Sequence, residues 1–160
     1  MALAQEIYNH GLHPSVEGLN FDRIKWKLCE SGEAKMTKEE CDLAEQEYRR
    51  YLTLKKLYPG VELVPNKLLD EFWHAHILDT VAYHADCDAV FGFYLHHFPY
   101  FGIYGEEDYQ NLVSAFDKTK ELYELHFGEY PERLDNAARC EDHPCHVPSE
   151  CACRAPGTCK

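Results

Sequence analysis

No apolar run in the 160 residues reaches the roughly 20 that a bilayer requires, so no membrane crossing is expected. Positive charge is scarce: 16 Lys and Arg stand against 28 Asp and Glu, a formal net charge of −12. Nucleic-acid backbones and anionic membrane surfaces are both held by clustered Lys and Arg, and the composition argues against either partner. The first basic residue is Arg23, so the start of the chain lacks the positive opening of a secretory signal, and the cytoplasm is the expected compartment. No Gly-rich phosphate loop, Ser-centred elbow or C-x-x-C redox pair occurs. No stretch sustains the period-two alternation of a sheet, and no internal repeat is visible.

What the chain does have is 11 Tyr, 10 His and 8 Cys, with 45% hydrophobic residues, too many for a disordered polymer. The cysteines are unevenly placed. Cys29, Cys41 and Cys87 lie in the body, whereas Cys140, Cys145, Cys151, Cys153 and Cys159 crowd the end. Charge divides the same way. From Arg133 onward, Arg133, Arg139, Arg154 and Lys160 balance Asp135, Glu141, Asp142 and Glu150, so the whole excess of acid belongs to residues 1–132. The expected organisation is a helical domain over 1–132 and a Cys/His-rich tail over 133–160.

The body reads as an all-α bundle of about four or five helices. Phe21, Ile24 and Leu28 suggest a short helix over about 20–29. Thr37-Lys38-Glu39-Glu40 is a capping box, with a hydroxyl at the N-cap and a carboxylate three residues on. The helix it opens should run to about Leu57, with Leu43, Tyr51, Leu54 and Leu57 as its apolar stripe, before Pro59-Gly60 ends it. Arg49-Arg50 would form a solvated face. Asn66 is a second N-cap, for a helix from Lys67 to about Asp79. Thr80 opens a continuation to Phe91, either as the same helix kinked or as a second one. Residues 95–105 form an aromatic loop. Glu106–His126 is amphipathic, with Leu112, Phe116, Leu122 and Tyr123 inward, acid in its first turn and Gly128 as its stop.

Chemistry concentrates in Asp70-Glu71-Phe72-Trp73-His74-Ala75-His76-Ile77-Leu78-Asp79-Thr80. Asp70 and His74 stand one helical turn apart on one side, where a carboxylate can fix one imidazole nitrogen and leave the other free for a metal. His76, Asp79 and Tyr83 share a different side, about 160° away on helical geometry. A straight helix therefore cannot present both rings of H-x-H to one ion, and one His can face a site while the other satisfies the core. A buried His held by Asp or a carbonyl is common, so a purely structural role stays open. His84, Asp86, His96 and His97 add donors, and a hairpin could bring the His96-His97 loop back over the helix. Three or four such groups at one point suit Zn²⁺ or Fe²⁺. The metal-ligand candidates are thus His74, His76, Asp79, His97 and Asp70, with His84, Asp86 and His96 secondary.

The tail reads C-x4-C-x5-C-x-C-x5-C, with His143 and His146 set between its cysteines. Cys140, His143, Cys145, His146, Cys151, Cys153 and Cys159 are potential soft ligands. The spacing is not that of a zinc finger. Metal handling, disulfides or disorder, and modification of a peptide remain the alternatives for it.

The string Val64-Pro65…Asp70-x-x-Trp73-His74-x-His76, then Tyr83-x-x-Asp86, then Gly92-x-x-Leu95-x-His97, resembles the glycine-rich domain-containing protein-like family in its bacterial form. Tyr123-x-x-x-Phe127-Gly128-x-Tyr130 resembles that family's closing element, so the resemblance spans about 46–130. It implies Asp70, Trp73, His74, His76, Tyr83, Asp86 and His97 as site positions, and it implies no particular activity. Three functions are compatible with these residues. One is a metal-binding helical protein, catalytic if a coordination position stays open. Another is a noncatalytic module docking a protein through the aromatic loop at 98–101. The third is a precursor whose Cys-rich tail is modified by partner enzymes.

Overall fold

The computed structural model describes residues 11–138. It is all-α, with six helices among those residues: α1 Pro14–Glu17, α2 Asp22–Cys29, α3 Lys38–Leu57, α4 Lys67–Leu78, α5 Thr80–Val90 and α6 Glu106–Phe127. A short 3-10 turn, Glu132–Leu134, follows. The single-turn α1 escaped the periodicity because four residues are too few to show a period. No helix among the described residues is long and apolar enough to cross a membrane.

The capping box forms as its sequence requires: Thr37 Oγ1 accepts from Glu40 N at 3.1 Å, and Glu40 Oε2 accepts from Thr37 N at 3.0 Å. α3 then buries Cys41, Ala44, Tyr48, Tyr51 and Leu54, and it packs against α4, α2, α6 and α1. α4 lies across it, and its Phe72 meets Tyr48 and Phe21 at ring separations of 5.4 and 5.3 Å. Each of these rings is almost wholly removed from water, which contributes on the order of 2–3 kcal/mol apiece. Helices α4 and α5 are distinct. Asp79 between them has φ −82° and ψ 72°; its N–H closes α4 on Ala75 and His76, and its carbonyl opens α5 on Tyr83.

Arg49 and Arg50 do not form a solvated face. The Arg49 guanidinium donates to the carbonyls of Val16 and Leu19, both at 2.8 Å, and lies 4.4 Å over the Phe21 ring. It thereby supplies the polar partners of a loop that α1 cannot satisfy by itself. Arg50 reaches Tyr123 on α6, which in turn donates to Glu47.

Glu47 is 2% exposed, and its Oε2 finds no partner among the described residues. Burial raises its pKa, an effect that Tyr123 and Arg50 offset only in part. A carboxyl whose folded pKa is raised stabilises the fold most when protonated, and that contribution is lost as pH rises through the folded value. Glu47→Gln should therefore raise stability at pH 7 by on the order of 1 kcal/mol, and the gain should vanish below the ordinary Glu range. Urea unfolding at pH 7 and pH 4 checks this.

Residues 133–138 stay on the body. Leu134 is buried, Asn66 and Ala137 form an antiparallel bridge, and Ala138 N donates to Pro65 O at 2.9 Å. The described chain therefore ends beside the start of α4.

Candidate metal centre

Asn66 starts α4 by accepting from Leu69 N at 2.9 Å, while its amide donates to Tyr130 Oη at 3.0 Å. This fixes both the first turn and its rotation. Asp70 and His74 then project one turn apart from the same face. The third group comes from the loop after α5. His97 Nε2 lies 2.7 Å from Asp70 Oδ1, His74 Nε2 lies 3.1 Å from Asp70 Oδ2, and the two Nε2 atoms are 3.2 Å apart. Asp70 is 9% exposed, and the two imidazoles are half-buried. Together the three form a set that can hold a metal ion.

A chain of contacts explains how the loop reaches the helix. Trp73 Nε1–H donates to Tyr83 Oη at 3.0 Å, and Tyr83 O–H donates to Leu95 O, two residues before His97. The His97 ring rests on the Trp73 indole with centroids 4.2 Å apart. Tyr83 is thus a positioning residue. Tyr83→Phe would leave a buried indole N–H and a buried carbonyl without partners, and should lower stability in urea by about 2 kcal/mol.

Burial pushes the Asp70 carboxyl up, but the bonds from His74 and His97 outweigh it and hold the carboxyl below its ordinary range. Burial likewise pulls the His74 imidazolium down, and the bond to Asp70 reverses this, leaving His74 above its ordinary value.

The structure places the remaining sequence candidates elsewhere. His76 is 2% exposed and faces the core on the far side of α4. Its Nε2 meets Asp86 Oδ2 at 2.7 Å and its Nδ1 meets Tyr48 Oη at 2.7 Å. Asp86 accepts, so Nε2 carries the proton and Nδ1 accepts from Tyr48. The 160° separation of the two rings along a straight helix is the reason, so His76 and Asp86 belong to one core link and not to the Asp70 cluster. Asp79 sits at the α4–α5 junction, where its carboxylate meets Arg23 at 3.3 Å. His84 is exposed, with its ring near Tyr94. His96 is exposed and contacts Tyr94, yet it lines the same cavity as the cluster. The tail candidates Cys140, His143, Cys145, His146, Cys151, Cys153 and Cys159 lie outside the described residues.

That cavity has a volume of about 390 Å³, and Asp70, His74 and His97 lie on its wall. Its apolar lining comes from Leu63, Val64, Pro65 and Leu112, and the aromatic loop contributes Phe98, Pro99 and Phe101. Lys55 and Glu62 also line it. Burial lowers the Lys55 pKa, and Glu62 opposes this. Sequence reasoning missed Lys55 because a single Lys near the end of a long helix carries no pattern.

A family model described as UCP032817-like matches residues 15–116. The chain belongs to the UCP032817-like family. The family name states no activity. The matched span of the UCP032817-like family holds every residue of the cluster together with Trp73, Tyr83 and Leu95, which place the third donor, and it ends inside α6. The Cys-rich segment follows beyond it. No curated protein and no solved structure matches the chain.

Proposed function

We propose that this chain binds one divalent transition-metal ion through Asp70, His74 and His97, with open coordination positions facing the cavity. A single observation carries the reading: two imidazole Nε2 atoms face one carboxylate and stand 3.2 Å from each other. If both nitrogens donated to Asp70, two N–H groups would crowd at that separation. A cation among the three groups instead takes one lone pair from each.

The separations also bear on the ion. For donors about 2.1 Å from a metal, a 90° angle puts neighbours about 3.0 Å apart and a tetrahedral angle about 3.4 Å. The 3.2 Å between the two imidazole nitrogens falls between these values and suits either geometry, and the contacts of 2.7 and 3.1 Å to Asp70 reach different carboxylate oxygens. Two His and one carboxylate with open positions beside them is a donor set used for non-haem Fe²⁺ and for catalytic Zn²⁺, so iron and zinc are the ions this reading takes. An ion held there would supply Lewis-acid or redox chemistry to a molecule in the cavity. The cavity is of the size that takes small ligands, and its apolar lining supports that use over docking of a protein on the loop.

The test is elemental analysis of untagged chain purified without oxygen. About one equivalent of iron or zinc supports the reading, and less than about 0.1 equivalent of any transition metal ends it.

A further inference from the structure

Lys55 stands in the cavity wall one helical turn beyond Tyr51, on the same face of α3. Tyr51 is fixed there: its hydroxyl donates to Leu63 O at 2.9 Å, and its ring packs on Trp73 with centroids 5.3 Å apart. The Lys55 side chain is half-buried, and its ammonium is far enough from water that burial pulls its pKa down. No described residue gives it a hydrogen bond or an ion pair; the carboxylate that opposes its desolvation is Glu62, which is itself exposed. A cation taken partly out of water without an anion beside it is unfavourable, and a ligand carboxylate would relieve that cost.

The rest of the lining says what such an anion carries. Leu63, Val64, Leu112, Phe98 and Phe101 share the cavity with Lys55, and they favour an apolar or aromatic body. Asp70 is not among the charges that act on Lys55, so the ammonium and the three donors are separate anchor points on one cavity. Charge points the same way. A divalent ion on Asp70 and two neutral imidazoles keeps one positive charge, and Lys55 and Glu62 cancel, so the loaded cavity is cationic inside a chain of net charge −12. An anion is repelled over most of this molecule and attracted here.

We propose that the cavity binds a small organic acid with an apolar or aromatic body, its carboxylate paired with the Lys55 ammonium and its body lying toward Asp70, His74 and His97. Lys55 binds and orients this ligand and takes part in no bond-making step. The inference names the substrate class of the site proposed above, and it rests on that metal reading for what the body of the acid meets.

The probes are phenylacetate, 3-phenylpropanoate and 4-phenylbutanoate, titrated calorimetrically into the full chain with and without added Zn²⁺, with zinc content measured on the same samples. At least one acid should bind with a Kd below about 1 mM, and its primary amide should bind at least about tenfold more weakly to the natural chain. Lys55→Met keeps the stem and drops the charge. It should weaken binding of the acid at least about tenfold while leaving the amide and the zinc content unchanged. Lys56→Met, outside the cavity lining, should change binding of the acid by less than about twofold. Equal binding of acid and amide, an acid affinity indifferent to Lys55→Met, or no binding of any of the three acids at about 1 mM overturns the proposal, and zinc uptake in those samples leaves the metal reading standing. Binding of the acid that depends on Lys55 in a chain that takes up no zinc supports the carboxylate site and overturns the metal reading.

Discussion

His97→Ala should bring bound metal from about one equivalent to below about 0.1, while His76→Ala should leave metal content unchanged and lower stability instead. The two residues are the same type, both are shielded from water, and both touch an Asp within 2.7 Å. They differ in what else converges. At His97 the second imidazole, His74, stands 3.2 Å away across a shared carboxylate. At His76 the other partner is a phenol, and Tyr48 and Asp86 occupy both ring nitrogens. Losing a group that merely orients a ligand weakens a metal site about 10- to 100-fold, so losing one of three ligands should cost at least as much. His76→Ala removes the imidazole that joins Tyr48 to Asp86 and leaves a buried Tyr48 hydroxyl without its acceptor, at a cost of about 2–3 kcal/mol. Metal analysis beside urea unfolding checks both halves. Equal loss of metal in the two variants would mean that unfolding, and not ligation, governs the content.

That contrast also marks how far periodicity reaches. The Asp70–His74 pairing follows from helical spacing alone, and so does the opposite facing of His76. The Thr37 and Asn66 caps were readable for the same reason: each is a local hydrogen-bond pattern encoded within four residues. What joins separate segments was not. Nothing in the spacing says that Trp73 will bond Tyr83, or that Tyr83 will bond the carbonyl of Leu95, yet these contacts carry His97 to the helix. Arg49 shows the same limit from the other side. A charged residue on a long helix reads as solvated, and only the tertiary arrangement reveals a loop whose carbonyls need a donor. The junction at Asp79 is similar. Asp79 and Thr80 suit either a cap or a helix interior, and the break is set by where α5 must lie for Asp86 to meet His76.

Phe72→Ala should be the most damaging single truncation in the described residues, at about 3–5 kcal/mol. The ring is 0% exposed and is wedged between Phe21 of the α1–α2 segment and Tyr48 of α3, so its loss opens a void where three elements meet. Domains of this size hold only about 5–15 kcal/mol in total, so the variant should unfold at a temperature lower by on the order of 10 °C. Phe72→Leu keeps most of the volume and should cost roughly 1–1.5 kcal/mol. Phe72 projects about 160° from His74 around α4, toward the core, so whatever folded fraction remains should still bind metal with unchanged stoichiometry. Calorimetry with metal analysis at 10 °C resolves the two effects. A Phe72→Ala protein that stays folded yet loses its ion would show that the core, and not the Trp73–Tyr83–Leu95 contacts, sets the position of the three donors.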